Sequence, residues 1–365
     1  VRAYAGECMV LLENDGTLPL SEAKKELAVF GNGVRHTVKG GTGSGEVNSR
    51  GAVTIEQGLK DAGITITTED WLDRYDEVLE EAERAYHEQL ERIAKERSIP
   101  VFQASFECQM ENPKIPEITE EDLKKTDGDT AVYVLARNSG EGTDRHYEKG
   151  DYLLSDEEAA AIHLLGQKFS HVIVLLNTGG IVDATAIKCT PGISAVLLIG
   201  QSGDVGGSVA ADVLYGRKVP SGKLTDTWAV SYQDYPSSAE FSHNNGNVDD
   251  EYYREGIFVG YRYFDTFGIK PQYCFGFGRS YTDFSIQTVA VKADERQVIL
   301  DVEVTNTGSV YSGKEVVQVY YSAPEGTLEK PYQELAAFAK TRLLSPGEKQ
   351  RMEIRFATTD MASYD

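Results

Sequence analysis

Only four of the 365 residues are cysteine, at positions 8, 108, 189 and 274, and they stand apart from one another and from the six histidines. That scatter lacks the paired spacing of a thiolate metal site, so no metal is expected and the four read as reduced thiols, compatible with a cytoplasmic location. Long hydrophobic runs are also missing. HVIVLLNTG at 171–179 and AVLLIG at 195–200 fall far short of the roughly 20 apolar residues that a membrane-spanning helix needs, and both read as buried strands. Basic residues are in the minority, 36 Lys and Arg against 58 Asp and Glu, for a formal net charge of -22. A surface of that sign repels phosphate backbones and anionic lipid, which argues against nucleic acid and membranes as partners. The chain opens at Val1 without the charged and apolar regions of a secretion signal, as a processed chain also would. Internal repeats and low-complexity tracts are absent.

A glycine-dense loop, KGGTGSGEV at 39–47, is present but carries neither the G-x-x-x-x-G-K-[ST] nor the G-x-G-x-x-G spacing that cradles phosphates. No cofactor is therefore expected. The alternative is a loop whose backbone approaches another surface closely, with Ser44 offering its hydroxyl either to a ligand or to the loop itself.

The length suits two domains, and 41% hydrophobic with 26% charged residues is the balance of a soluble globular protein. The apolar spacing in the first 20 residues predicts a helix followed by a turn at Asn14-Asp15-Gly16. Strands follow at 27–33, 64–68, 130–136, 171–179 and 195–200, alternating with helices at 55–62, 70–97, after the Ser155 N-cap of SDEE, and at 206–214. The 70–97 helix, with interspersed Glu, Lys and Arg, reads as a solvated outer layer. The expected architecture of residues 1–231 is an α/β sandwich of six mostly parallel strands. Residues 232–284 are aromatic, polar and irregular, a long connection. Residues 285–365 alternate inward and outward positions between turn signals, as in a small immunoglobulin-like or fibronectin type III-like β-sandwich.

The chemistry-bearing stretch is RNSGEGTDR at 137–145. It places Glu141 between two glycines where the apolar run TAVYVLA ends, and carboxyl ends of strands in open α/β sheets are where ligands sit. Glu141 is the candidate acid, against the alternative of an ordinary solvated loop carboxylate. Asp144 and Arg145 either orient it or form the loop's own ion pair.

Several segments, in order, resemble glycoside hydrolase family 3: LLENDGTLPL at 11–20, KGGTGSGEV, RNSGEGTDR, PSGKLTDTW at 220–228, EGIFVGYRYFDT at 255–266 with FGFGRSYTDF at 275–284, and VTNTGSVYSGKEVVQVYYS at 304–322 with KPYQELAAFAK at 330–340. The resemblance implies a retaining exo-acting β-glycosidase, most simply a β-glucosidase, in which one carboxylate attacks the anomeric carbon and a second protonates the leaving oxygen. The two lie roughly 5 to 5.5 Å apart. It assigns the general acid/base to Glu141 and a sugar-hydroxyl contact to Ser44. It also exposes a gap, because the family's nucleophilic aspartate rides on a (β/α)8 barrel that this sequence does not contain. TEDW at 68–71 is no substitute, since it opens a surface helix. The expectation is therefore a domain-permuted member, seen as a fragment or as one chain of a split enzyme. Its partners would be a β-linked glucoside or oligosaccharide and the barrel, with homo-oligomerisation left open. A noncatalytic carbohydrate-binding or scaffolding module of the same descent is the alternative.

Overall fold

The computed structural model describes residues 1–105, 107–108, 110, 113–126, 128–139, 144–324 and 326–364, and the side chain of Ser44 lies outside that description. After a one-turn helix α1 (Arg2–Ala5), strand β1 (Val10–Asn14) begins a six-stranded sheet. Helix and turn were expected there. Met9, Val10, Leu11 and Leu12 are a continuous buried run, and such a short apolar run has no period that separates strand from helix. The strand is an edge, antiparallel to its neighbour and bulged between Leu11 and Glu13.

The parallel strands are β2 (Glu26–Phe30), β3 (Thr65–Ile66), β4 (Thr130–Arg137), β5 (His171–Thr178) and β6 (Ile193–Leu198). They lie in the order β1-β6-β5-β4-β2-β3. The six mostly parallel strands expected from the sequence are thus present, although the 64–68 run shortens to two paired residues. Every residue of β4 and seven of the eight of β5 are buried, as expected for strands covered on both faces.

Helices α2 (Ile55–Asp61), α3 (Glu69–Arg97), α4 (Val101–Ala104), α5 (Glu120–Lys124), α6 (Asp156–Lys168), α7 (Ala184–Lys188) and α8 (Gly206–Leu214) connect or cover these strands. Helices α2 and α8 touch almost backbone to backbone. A Cβ on Gly207 would lie 1.8 Å from the Thr54 carbonyl oxygen, so only glycine fits there. The start of α3 is not the solvated layer expected: Trp71 and Leu72 are buried, and Trp71 meets Phe30 edge to face with ring centres 5.4 Å apart. The far half of α3 instead packs Leu90 and Ala94 against Ala104, in a small cluster separate from the main core.

Residues 232–284 are irregular except for short turns and helix α9 (Tyr261–Phe267). Trp228 and Tyr273, with ring centres 6.1 Å apart, belong to the main core. The last region has strands β7 (Phe284–Ala293), β8 (Gln297–Asn306), β9 (Val316–Tyr321), β10 (Glu334–Lys340) and β11 (Lys349–Ala357). They form a β11-β8-β7 sheet and a β10-β9 pair, antiparallel throughout. Val302, Val304, Met352, Ile354 and Phe356 alternate inward to make a second core, while Asp301, Glu303, Arg351 and Glu353 alternate outward.

Candidate active site

Strand order marks where a site is expected. From β2 the chain moves outward to β3, then crosses back to place β4 on the other side of β2 and continues through β5 and β6. Strand order therefore reverses between β2 and β4, which pair through Ala28–Ala131, Val29–Val132 and Phe30–Tyr133. The connections leaving the carboxyl ends of such a pair run apart and leave a crevice, the usual ligand position in an open α/β sheet. The loop after β2 carries Ser44, and the loop after β4 carries Glu141.

Glu141, with Gly140, Gly142 and Thr143, lies outside the described residues; their flanking stems do not. The two loops meet, since a Cβ on Gly41 would lie 3.4 Å from the Ser139 carbonyl oxygen. At that distance a side chain would be in ordinary contact, so among the described residues the approach of the two loops does not itself require glycine at 41.

The Ser44 loop is pinned from beneath by Asn177, the polar residue near the end of β5. Its Oδ1 accepts from the Val38 amide at 2.6 Å, and its Nδ2 donates to the carbonyls of Val38 at 2.9 Å and Gly200 at 2.7 Å. Lys39 closes the loop, its Nζ donating to the Val47 carbonyl at 2.7 Å, and its own carbonyl accepts from the Gly203 amide at 3.0 Å. On the other side of the crevice Asn32 holds β4, donating to the Ala136 carbonyl and accepting from its amide.

Strand β4 continues one residue beyond the expected end. Arg137 is only 7% exposed and pairs through both terminal nitrogens with Glu158, itself 2% exposed, at 2.7 and 2.5 Å. The charge that looked like a loop signal is a buried ion pair at a helix start. Ser155 caps α6 as expected, and Glu158 completes a capping box by accepting from the Ser155 amide at 2.8 Å. Arg145 does form an ion pair within its loop, but with Asp151 rather than Asp144, which is exposed.

Beside this stem Tyr147 stacks on Tyr232 with ring centres 4.4 Å apart and planes 19° apart, and Tyr152 meets Tyr232 edge-on at 5.0 Å. Burial pushes the Tyr152 phenol far above its ordinary value and Tyr235 up to about 12, so both stay neutral near pH 7. This wall offers apolar surface and neutral phenols rather than a base. Among the described residues no group of three or more His, Cys, Asp and Glu could hold a metal ion, and no helix is long and apolar enough to cross a membrane.

Residues 9–261 match the C-terminal domain of glycosyl hydrolase family 3. The chain belongs to glycosyl hydrolase family 3. Residues 315–365 match a fibronectin type III-like domain, in agreement with the second core. Beta-glucosidase A of Butyrivibrio fibrisolvens is 38% identical over 402 residues, covering 99% of this chain and 46% of its own length. The structure of beta-glucosidase 3B from Thermotoga neapolitana in complex with glucose is 38% identical with a TM-score of 0.86, covering 100% of this chain and 49% of that one. The exo-alpha-(1->6)-L-arabinopyranosidase of Bifidobacterium breve is 38% identical over 204 residues, 54% of this chain and 26% of its own length. The chain spans less than half the length of each of these relatives.

Within the family 3 domain, sequence reasoning missed Asn177 and Asp151. Asn177 had a usable signal, an amide side chain directly after the five apolar residues 172–176. Asp151 had none, because its partners are set by the path of the loop.

Proposed function

We propose that this chain is the acid/base-bearing part of a retaining, exo-acting β-glucosidase that releases glucose from non-reducing ends. The observation that carries the reading is the meeting of the Ser44 and Glu141 loops over the β2/β4 crevice, Gly41 against Ser139, in a family 3 chain. In this reading Glu141 protonates the glycosidic oxygen in the first step. It then takes a proton from water in the second, while Ser44 contacts a sugar hydroxyl. The nucleophilic aspartate stands on a (β/α)8 barrel outside this chain, on a second polypeptide or on a further part of the same protein.

We further divide the chain into an α/β domain at 1–231, a connection at 232–284 and a fibronectin type III-like sandwich at 285–365, in keeping with its two separate cores. The test of the function is Glu141→Ala in the barrel-completed enzyme. Turnover of a glucoside with a poor leaving group should fall by about 10²- to 10⁴-fold. Azide should restore part of the turnover of an activated aryl glucoside, because it attacks the anomeric carbon of the glycosyl-enzyme without needing a base, releasing the enzyme carboxylate and giving glucosyl azide. Unchanged turnover would end the proposal.

A further inference from the structure

Two arginines flank Glu141 at equal distance, Arg137 four residues before it and Arg145 four residues after, and both donate to one atom. The Asp151 carbonyl oxygen accepts from Arg137 Nε at 2.8 Å and from Arg145 Nη2 at 2.8 Å. The Asp151 side chain completes the clasp. One carboxylate oxygen accepts from Arg145 Nε, and the other accepts from the His146 amide at 2.5 Å.

The clasp is anchored on both sides. Arg137 is held by Glu158, which is fixed to the capped start of α6. The segment after Arg145 is a tight turn, with the Tyr152 amide donating to the His146 carbonyl at 3.2 Å. The Tyr152 carbonyl accepts from the Asp183 amide at 2.9 Å, which ties the turn to the connection after β5. A loop pinched at its neck samples fewer conformations than one whose ends move independently. Here the neck is fixed to the buried end of β4 and, through the buried Glu158, to the capped start of α6.

We infer that Asp151 is a positioning residue, which clasps Arg137 and Arg145 on either side of Glu141 in the sequence and through them governs proton transfer to the glycosidic oxygen. The inference rests on the assignment of Glu141 as the acid/base. Asp151 touches no reacting atom, and its effect passes through Arg145 and the His146 amide. Proton transfer is sensitive to the placement of its acid, so in the first step loss of the clasp weighs on substrates whose leaving group needs the proton and spares those whose leaving group departs without one.

Three variants of the barrel-completed enzyme, Asp151→Ala, Asp151→Asn and Glu141→Ala, are compared on an alkyl glucoside and on a dinitrophenyl glucoside. With Asp151→Ala, kcat on the alkyl glucoside should fall by about 10- to 100-fold, the scale of a misplacement near 1 Å. On the dinitrophenyl glucoside kcat/KM, which reports the first step with a leaving group that needs no proton, should hardly change, whereas kcat, limited by attack of water on the glycosyl-enzyme, should fall and be partly restored by azide. Asp151→Asn, which keeps an acceptor oxygen, should recover part of the loss. In this chain itself, deuterium exchange in Asp151→Ala should quicken over residues 144–150 and stay unchanged over 156–168. Equal losses of kcat/KM on both glucosides, exchange that quickens throughout the chain, or no loss where Glu141→Ala collapses would each overturn the role of Asp151 alone. Full turnover by Glu141→Ala would remove the acid/base assignment and this inference with it.

Discussion

The two ends of the parallel sheet are built differently. At the amino end, Asp15, Thr17, Lys24, Asp129 and His171 line a shallow cleft and satisfy one another: Lys24 pairs with Asp129, and Thr17 meets His171 at 2.9 Å. Charge and concavity are both present, yet the groups are neighbours in an exposed rim. At the carboxyl end the polar side chains are buried and spend their hydrogen bonds on backbone atoms of distant loops. Asn177 reaches 139 residues back in sequence to Val38. Polar groups held that way cost free energy to bury and are kept where a loop must hold one shape. The contrast teaches that a cleft need not carry clamped loops, whereas at the strand-order reversal, where the candidate site lies, loop backbone is clamped over long range.

Breaking the carboxyl end should therefore cost much more than breaking the amino end. Asn177→Ala removes three hydrogen bonds at a residue 1% exposed. Denaturant unfolding should show a loss of about 2 to 4 kcal/mol, at roughly 1 kcal/mol for each bond. In the barrel-completed enzyme KM should rise, because the Ser44 loop loses its support. Lys24→Ala sharpens the comparison from the other side. It removes an ion pair whose carboxylate partner is 57% exposed, so stability should change by less than about 1 kcal/mol. Its kcat/KM should be unaltered. A Lys24 variant that damaged turnover as much as the Asn177 variant would erase the distinction between the two ends.

How much of this could be read in the chain depended on whether the signal was local. Strands β4, β5 and β6 were legible as unbroken apolar runs, the only composition a strand covered on both faces can have. The capping of α6 was legible because Ser155 and Glu158 lie three residues apart. Strand β1 was not, since Met9 to Leu12 form a run too short to show a period and their pairing with β6 is made by residues nearly two hundred positions away. Arg137 misled for a related reason: a charge after an apolar strand reads as solvent, and its buried partner Glu158 is 21 residues on. For the candidate site, the loops bearing Ser44 and Glu141 were identifiable from their glycines. Their meeting followed only from strand order, and the clasp at Asp151 only from the path of its own loop.

The central claim is that the carboxyl end of this sheet holds half of an active site and that the other half is a barrel. Turnover of an aryl β-glucoside by this chain alone, and then with a family 3 barrel supplied, measures it directly. The account predicts no hydrolysis above background by the chain alone and hydrolysis with release of glucose once the barrel is present. Turnover by the isolated chain would contradict it, because a second carboxylate able to attack the sugar would then have to lie within these 365 residues.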